Sequence, residues 1–192
     1  MRGLDFIRAA AIVTLVMALA VVTWTSVRPL VVRAVAEHPK IELYDNCDPR
    51  DPAWNTVGGC TLDPREGDVT LDEFGRYLMS PLSLSTVGHP SWRFEPTYLR
   101  LKAGKELTVE NEGGRDHTFT EVVKFGGGRI AGLNIGLTEA PECVLATGAT
   151  DPTLVHPGGD LELAHLSTGL HTFQCCIHPW MRAAVRVSGE RK

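Results

Sequence analysis

The chain has 192 residues with 19 basic and 23 acidic side chains, and its formal net charge is −4. Without residues 1–36, which are treated below as a targeting segment, 15 basic and 22 acidic residues remain. This acidic balance argues against a nucleic-acid-binding protein, and the remaining length suffices for one domain with a real core.

The N-terminus carries a long apolar stretch, Ala9–Val27, with Arg2 and Arg8 ahead of it. Its length lies between the core of a signal peptide and a membrane span. We therefore predict that residues 1–36 are either a signal peptide or an uncleaved N-terminal membrane anchor. The rest of the chain is then exported, to the periplasmic or extracellular face.

Residues 37–90 are rich in Pro, Gly and Asp, and we expect an irregular extension there. Thr70 and Glu73 have the spacing of a capping box, which predicts a short helix over 71–78. A faint likeness to a calcium-binding EF-hand loop fails, because Leu62 stands where the first carboxylate should be. We therefore reject calcium binding.

From Trp92 onward, short runs of alternating apolar residues are separated by turn residues. Leu99 and Leu101 lie on one side of a turn, and Leu107 and Val109 lie on the other, which is typical of a β-hairpin. The pattern recurs up to Val187. Short strands at this spacing predict an antiparallel β-sandwich over residues 91–192.

The most informative motif is CCIHPWM at residues 175–181, which follows a strand-like run. It offers a thiolate from Cys175, an imidazole from His178 and a thioether from Met181. Soft sulfur donors with neutral imidazoles select copper over hard cations, and a blue-copper site needs a second histidine. His117, after the glycine turn of NEGGRDHTF, is the natural fourth ligand.

One histidine far upstream and a Cys-x-x-His-x-x-Met cluster near the end resemble the cupredoxins, most closely the plastocyanin, pseudoazurin and amicyanin group. The resemblance covers Trp92–Val187, and Cys175-x-x-His178-Pro179-x-Met181 is similar to the short ligand loop of amicyanins. It implies a Greek-key β-sandwich. It also implies one type 1 copper ion held by His117 and the three residues of the loop.

Five cysteines give an odd number of thiols in a chain predicted to be exported. Cys47 and Cys60 enclose a loop with little core of its own, so we pair them. Pairing of Cys143 with Cys176 is a further hypothesis, which would tie the insertion to the ligand loop and leave Cys175 as the free thiolate. Adjacent strand residues point to opposite faces, so Cys175 and Cys176 do not share the metal.

These features predict a monomeric type 1 copper protein that passes single electrons between redox partners and is not an enzyme. In the family that it resembles, the last-loop histidine is the electron port. We therefore expect partners to dock on apolar surface near Trp180 and His178, although Trp180 could instead shield the copper from water.

Three alternatives remain open. The metal could be cargo in a copper-delivery protein, with Cys176 assisting transfer, or zinc could stabilise an interaction domain. Glu121 could also approach the metal and give a carboxylate-bound copper site. The other histidines have no sulfur or carboxylate neighbours at ligand spacing, and we interpret them as ordinary: His38, His89, His156, His165 and His171.

Overall fold

The computed structural model describes residues 39–63, 65–79, 89–145 and 150–189. The predicted signal peptide or anchor at residues 1–36 lies outside these ranges. Within the described part of the chain, no helix combines the length and the apolar character needed to cross a bilayer.

The described chain is built mainly of short strands, with two short α-helices. The strands are β1 Lys40–Asp45, β2 Trp92–Glu95, β3 Tyr98–Lys102, β4 Leu107–Asn111, β5 His117–Thr118, β6 Thr120–Glu121, β7 Leu154–Val155, β8 Asp160–Leu163, β9 Gly169–Gln174 and β10 Arg182–Ser188. The α-helices are α1 Leu71–Leu78 and α2 Pro141–Leu145, and 3-10 turns occur at Pro52–Val57 and Ala131–Leu133.

Two four-stranded sheets form the body of the protein, in the orders β2-β1-β4-β8 and β3-β10-β9-β6, and β5 pairs with β7. Ile41 and Val109 from the first sheet and Phe173 and Val185 from the second belong to one buried cluster. The all-β sandwich predicted from the strand pattern is therefore confirmed. It is not wholly antiparallel, because β1 pairs with β4 and β3 with β10 in parallel.

The prediction of an irregular chain throughout residues 37–90 is wrong at β1. This strand lies between β2 and β4, and it buries Ile41, Leu43 and Asp45 while Lys40 remains exposed. Its partners come from residues 92–95 and 108–111. Because the partner strands of β1 are distant in sequence, its only local signal is a short alternation of apolar and polar residues. The Pro, Gly and Asp content of residues 37–90 hides this signal.

Helix α1 begins and ends where the capping box predicts. The Thr70 hydroxyl accepts a hydrogen bond from the Glu73 amide at 3.2 Å, and the helix buries Phe74. Asp51 joins this helix to the preceding 3-10 turn, because its carboxylate accepts from the amides of both Ala53 and Leu71. Both predicted disulfides, Cys47–Cys60 and Cys143–Cys176, are confirmed.

Candidate metal centre

Three of the four predicted ligand residues lie at or next to the ends of strands, and the fourth, His178, lies in the loop between β9 and β10. His117 begins β5, Cys175 directly follows β9, and Met181 directly precedes β10. Two backbone hydrogen bonds close the loop between Cys175 and Met181. The Cys175 amide donates to the Met181 carbonyl at 3.0 Å, and the Met181 amide donates to the His178 carbonyl at 2.9 Å.

Three donor atoms converge in the interior. The Cys175 Sγ lies 3.9 Å from Nδ1 of His117 and 3.7 Å from Nδ1 of His178, and the two Nδ1 atoms are 3.1 Å apart. All three side chains are buried. Protein ligands bind a metal ion at roughly 2.0–2.3 Å, so donors at these separations can share one ion.

Met181 lies beside this cluster in the sequence and is completely buried in the same apolar core as Cys175. A thioether is a weak sulfur donor of the kind that completes Cys and His copper sites as an axial partner. The set of one thiolate, two imidazoles and one thioether therefore fits copper better than a hard cation.

Asp45, at the end of β1, contacts a candidate ligand, and sequence reasoning missed it. Its Oδ2 lies 2.9 Å from Nε2 of His117, and its side chain is 1% exposed. The same carboxylate accepts from the amides of Gly114 and Arg115, both at 2.8 Å. A Cβ on Gly113 would lie only 2.6 Å from this carboxylate, which explains the glycine turn before His117.

Asp45 also decides which ring nitrogen of His117 is available. Because Nε2 donates its hydrogen to the carboxylate, Nδ1 is left facing Cys175 and His178. Such carboxylate–histidine contacts fix the tautomer and ring orientation of metal ligands. The signal in the sequence was a carboxylate on the buried face of an alternating strand, after Ile41 and Leu43.

The two imidazoles favour the thiolate form of Cys175. Burial raises the pKa of the Cys175 thiol. Hydrogen bonds and charge from His117 and His178 lower this pKa by more, so that it lies well below its usual range. Burial lowers the pKa of His117, yet its bonds to Asp45 and Cys175 bring the pKa up to about 9. Burial lowers the pKa of His178. The thiolate is the form that binds metals.

The surrounding backbone supports the sulfur. The amides of Thr118 and His178 point at the Cys175 Sγ, at 3.4 and 3.3 Å. The next residue turns away: Cys176 is disulfide-bonded to Cys143, and its amide donates to the Thr118 hydroxyl at 2.7 Å. Cys175 is thus the free thiol of the pair, as the parity argument predicts.

The predicted apolar surface at Trp180 is wrong. Trp180 is only 1% exposed, and His178 is 7% exposed. The indole of Trp180 packs against Phe74 of α1 and against Trp92, because residues between β1 and β2 fold over this end. The alternative interpretation, that Trp180 shields the centre from water, agrees with this burial.

Glu121 is paired elsewhere. Its carboxylate lies 2.6 Å from Nδ1 of His171 and is half exposed, so it belongs to a separate surface pair. Of the other histidines, His156 contacts Asp116 at the surface and His165 is exposed. His89 is buried, with Nδ1 accepting from the amides of Ser91 and Trp92. His38 lies outside the described residues.

No protein-family model matches the chain. No curated protein matches it either. Among solved structures, the chain is similar to a purple cupredoxin from Nitrosopumilus maritimus at 16% identity, covering 57% of this chain and 93% of that one, with a TM-score of 0.37.

Amicyanin structures also match. A methionine-to-alanine variant with Cu(I) is 18% identical with a TM-score of 0.33, and a reduced tryptophan-to-tyrosine variant is 20% identical with a TM-score of 0.33. Each match covers 50% of this chain and 73% of the other. The matched proteins are cupredoxins, the family that the Cys-x-x-His-Pro-x-Met motif of this chain resembles.

Proposed function

We propose that the protein is a type 1 copper protein that carries single electrons between redox partners outside the cytoplasm. The observation that carries this proposal is the buried convergence of the Cys175 sulfur with the Nδ1 atoms of His117 and His178. Bound copper would supply one-electron chemistry through its two oxidation states. The protein contributes the three converging donors and Met181.

The rigidity of the site supports electron transfer. Cys175 and His117 lie at the ends of strands, and backbone hydrogen bonds close the loop between Cys175 and Met181. A site whose geometry is held by such contacts needs little rearrangement when the charge of the ion changes. All four coordination positions would be filled by protein, which leaves no position for a substrate and argues against an enzyme.

Two other features support the proposed location. The chain forms two disulfides, which persist in oxidising compartments. The apolar segment Ala9–Val27 is the expected export signal or anchor. The partners of the domain are proposed to be redox proteins. Because Trp180 and His178 are buried, these partners would dock without direct contact with either ring.

The test is the absorption and electron paramagnetic resonance spectrum of the purified protein loaded with Cu(II). We expect an intense thiolate-to-copper band that disappears on reduction and returns on oxidation. Cys175→Ser should abolish the band, and His117→Gln should weaken copper binding. His171→Gln is the matched control, because His171 bonds to a carboxylate outside the cluster, and it should leave the spectrum unchanged.

An intense band in Cys175→Ser would overturn the proposal. A weakly coloured site that transfers Cu(I) to an acceptor would favour copper delivery instead. A colourless site that retains zinc against copper would favour a zinc-stabilised interaction domain.

A further inference from the structure

A segment preceding the second strand covers the metal centre on its His178 side. We define the cap as residues 46–63 and 65–79, which contain the 3-10 turn at Pro52–Val57 and helix α1. Its two principal apolar side chains are Trp54 and Phe74, and both are buried. The cap is stapled by the Cys47–Cys60 disulfide.

The cap reaches the centre through aromatic rings. Trp92 contacts the ring of His178 edge-on at a centroid distance of 4.9 Å. Trp54 stacks on Trp92 at a centroid distance of 6.0 Å with an interplanar angle of 10°, and Phe74 packs on Trp92 at 4.9 Å. Phe74 also contacts Trp180 at 5.8 Å. The ring edge of His178 is therefore enclosed by side chains rather than by solvent.

The cap is anchored to the loop that carries His117. The guanidinium of Arg115 donates to the Val57 carbonyl at 3.2 Å and to the Gly59 carbonyl, and it lies 5.7 Å from the centroid of the Trp92 ring. The Thr61 hydroxyl donates to the Gly114 carbonyl at 2.7 Å. These hydrogen bonds tie cap residues 57–61 to Gly114 and Arg115 of the loop before His117.

Hydrogen bonds to backbone carbonyls fix two of the aromatic rings themselves. The indole N–H of Trp54 donates to the Val69 carbonyl, and that of Trp92 donates to the Asn46 carbonyl, both at 2.9 Å. Indoles with satisfied N–H groups and packed faces have few alternative positions. The cap is thus built as a fixed part of the fold.

We propose that the cap determines which molecules react with the centre: thiol reagents and metal chelators reach Cys175 only when the cap detaches. Electron transfer tolerates a layer of packed side chains, whereas handing over a metal ion requires direct ligand contact. This inference rests on the proposed function. A cap that blocks direct ligand contact favours electron transfer over copper delivery.

The experiment uses the full-length, metal-free protein and measures the rate at which N-ethylmaleimide alkylates Cys175, followed by mass spectrometry. Trp54→Ala removes the ring stacked on Trp92, and Arg115→Gln removes the anchor to Val57 and Gly59. The control is Leu101→Ala, a buried residue of β3 in the second sheet. The free energy of unfolding is measured for every variant.

We expect both cap variants to react at least tenfold faster than the Leu101→Ala control at matched free energy of unfolding. Local detachment exposes Cys175 without global unfolding, so the rate should exceed what stability predicts. Equal rates at matched stability would overturn the inference, as would rapid alkylation of the unaltered protein. Copper is absent from this assay, so its outcome is independent of the spectroscopic test.

Discussion

At the scale of single residues, the centre includes a buried carboxylate, Asp45, that no sequence motif predicts. Asp45 contacts none of the three converging donor atoms; its carboxylate contacts Nε2 of His117 and two amides of the glycine turn. It therefore serves as a positioning residue. Its burial means that the bond to His117 is not weakened by competing water.

Asp45→Asn tests this role. The amide oxygen can still accept one hydrogen bond from the turn, but the charged acceptor for the Nε2 hydrogen of His117 is lost. We expect copper affinity to fall roughly 10- to 100-fold, the usual cost of removing such a partner. Competition with a chelator of known affinity provides the measurement.

The matched control is Glu121→Gln, because Glu121 makes a similar carboxylate–histidine contact with His171 away from the centre. It should leave copper affinity unchanged. If both variants bind copper as tightly as the unaltered protein, Asp45 does not position His117.

At the scale of elements, the ligand loop is held in two ways. Backbone hydrogen bonds close the loop of residues 175–181, the Thr118 amide donates to the Cys175 sulfur, and the Thr118 hydroxyl accepts from the Cys176 amide. The Cys143–Cys176 disulfide ties the same loop to α2, across 33 residues of sequence. The first set shapes the site, and the second limits the freedom of the unfolded chain.

Replacing both Cys143 and Cys176 by Ser should therefore separate stability from metal binding. We expect the free energy of unfolding to fall by about 2–4 kcal/mol, since a crosslink of this length constrains the unfolded state. The copper spectrum should persist.

Urea unfolding measures the stability, and absorption spectroscopy measures the copper site. The double variant Cys47→Ser and Cys60→Ser provides the comparison for the other disulfide. Loss of the copper band in a folded Cys143 and Cys176 variant would contradict this division.

At the scale of the whole molecule, the cap and the sandwich meet at a buried histidine. His89 is 1% exposed, and its ring packs against Phe74 and Tyr77 of α1. Burial lowers the pKa of His89 to about 4. Its neutral form is thus part of the contact that joins the cap to β2.

This histidine makes the folded protein sensitive to acid. The unfolded chain binds a proton at His89 near pH 6.5, whereas the folded chain does so only near pH 4, so stability falls as the pH drops between these values. His89→Asn retains an acceptor for the Ser91 amide but does not titrate. We expect the unaltered protein to lose about 3 kcal/mol more than this variant between pH 7 and pH 4.

Urea unfolding at several pH values provides the measurement, and the comparison between the two proteins cancels every other titrating group. Parallel stability curves for the two proteins would show that His89 does not contribute.

The sequence determined the features that depend on neighbouring residues. The Thr70 capping box set the start of α1, the loop between Cys47 and Cys60 indicated the first disulfide, and the spacing of Cys175, His178 and Met181 placed three candidate ligands in one loop. Each depends on local geometry, so a short stretch of sequence contains the necessary information. The Cys143–Cys176 disulfide spans 33 residues, and the odd number of cysteines suggested it only as a hypothesis.

Only the tertiary structure decided what lies around that loop. The pairing of β1 with β2 and β4 brings Asp45 to His117, and the fold of the cap buries Trp180 beneath Phe74. These contacts join residues separated by about 70 to 106 positions, counted from Asp45 to His117 and from Phe74 to Trp180. Long-range packing leaves little trace in the local pattern, because many arrangements bury the same apolar residues equally well.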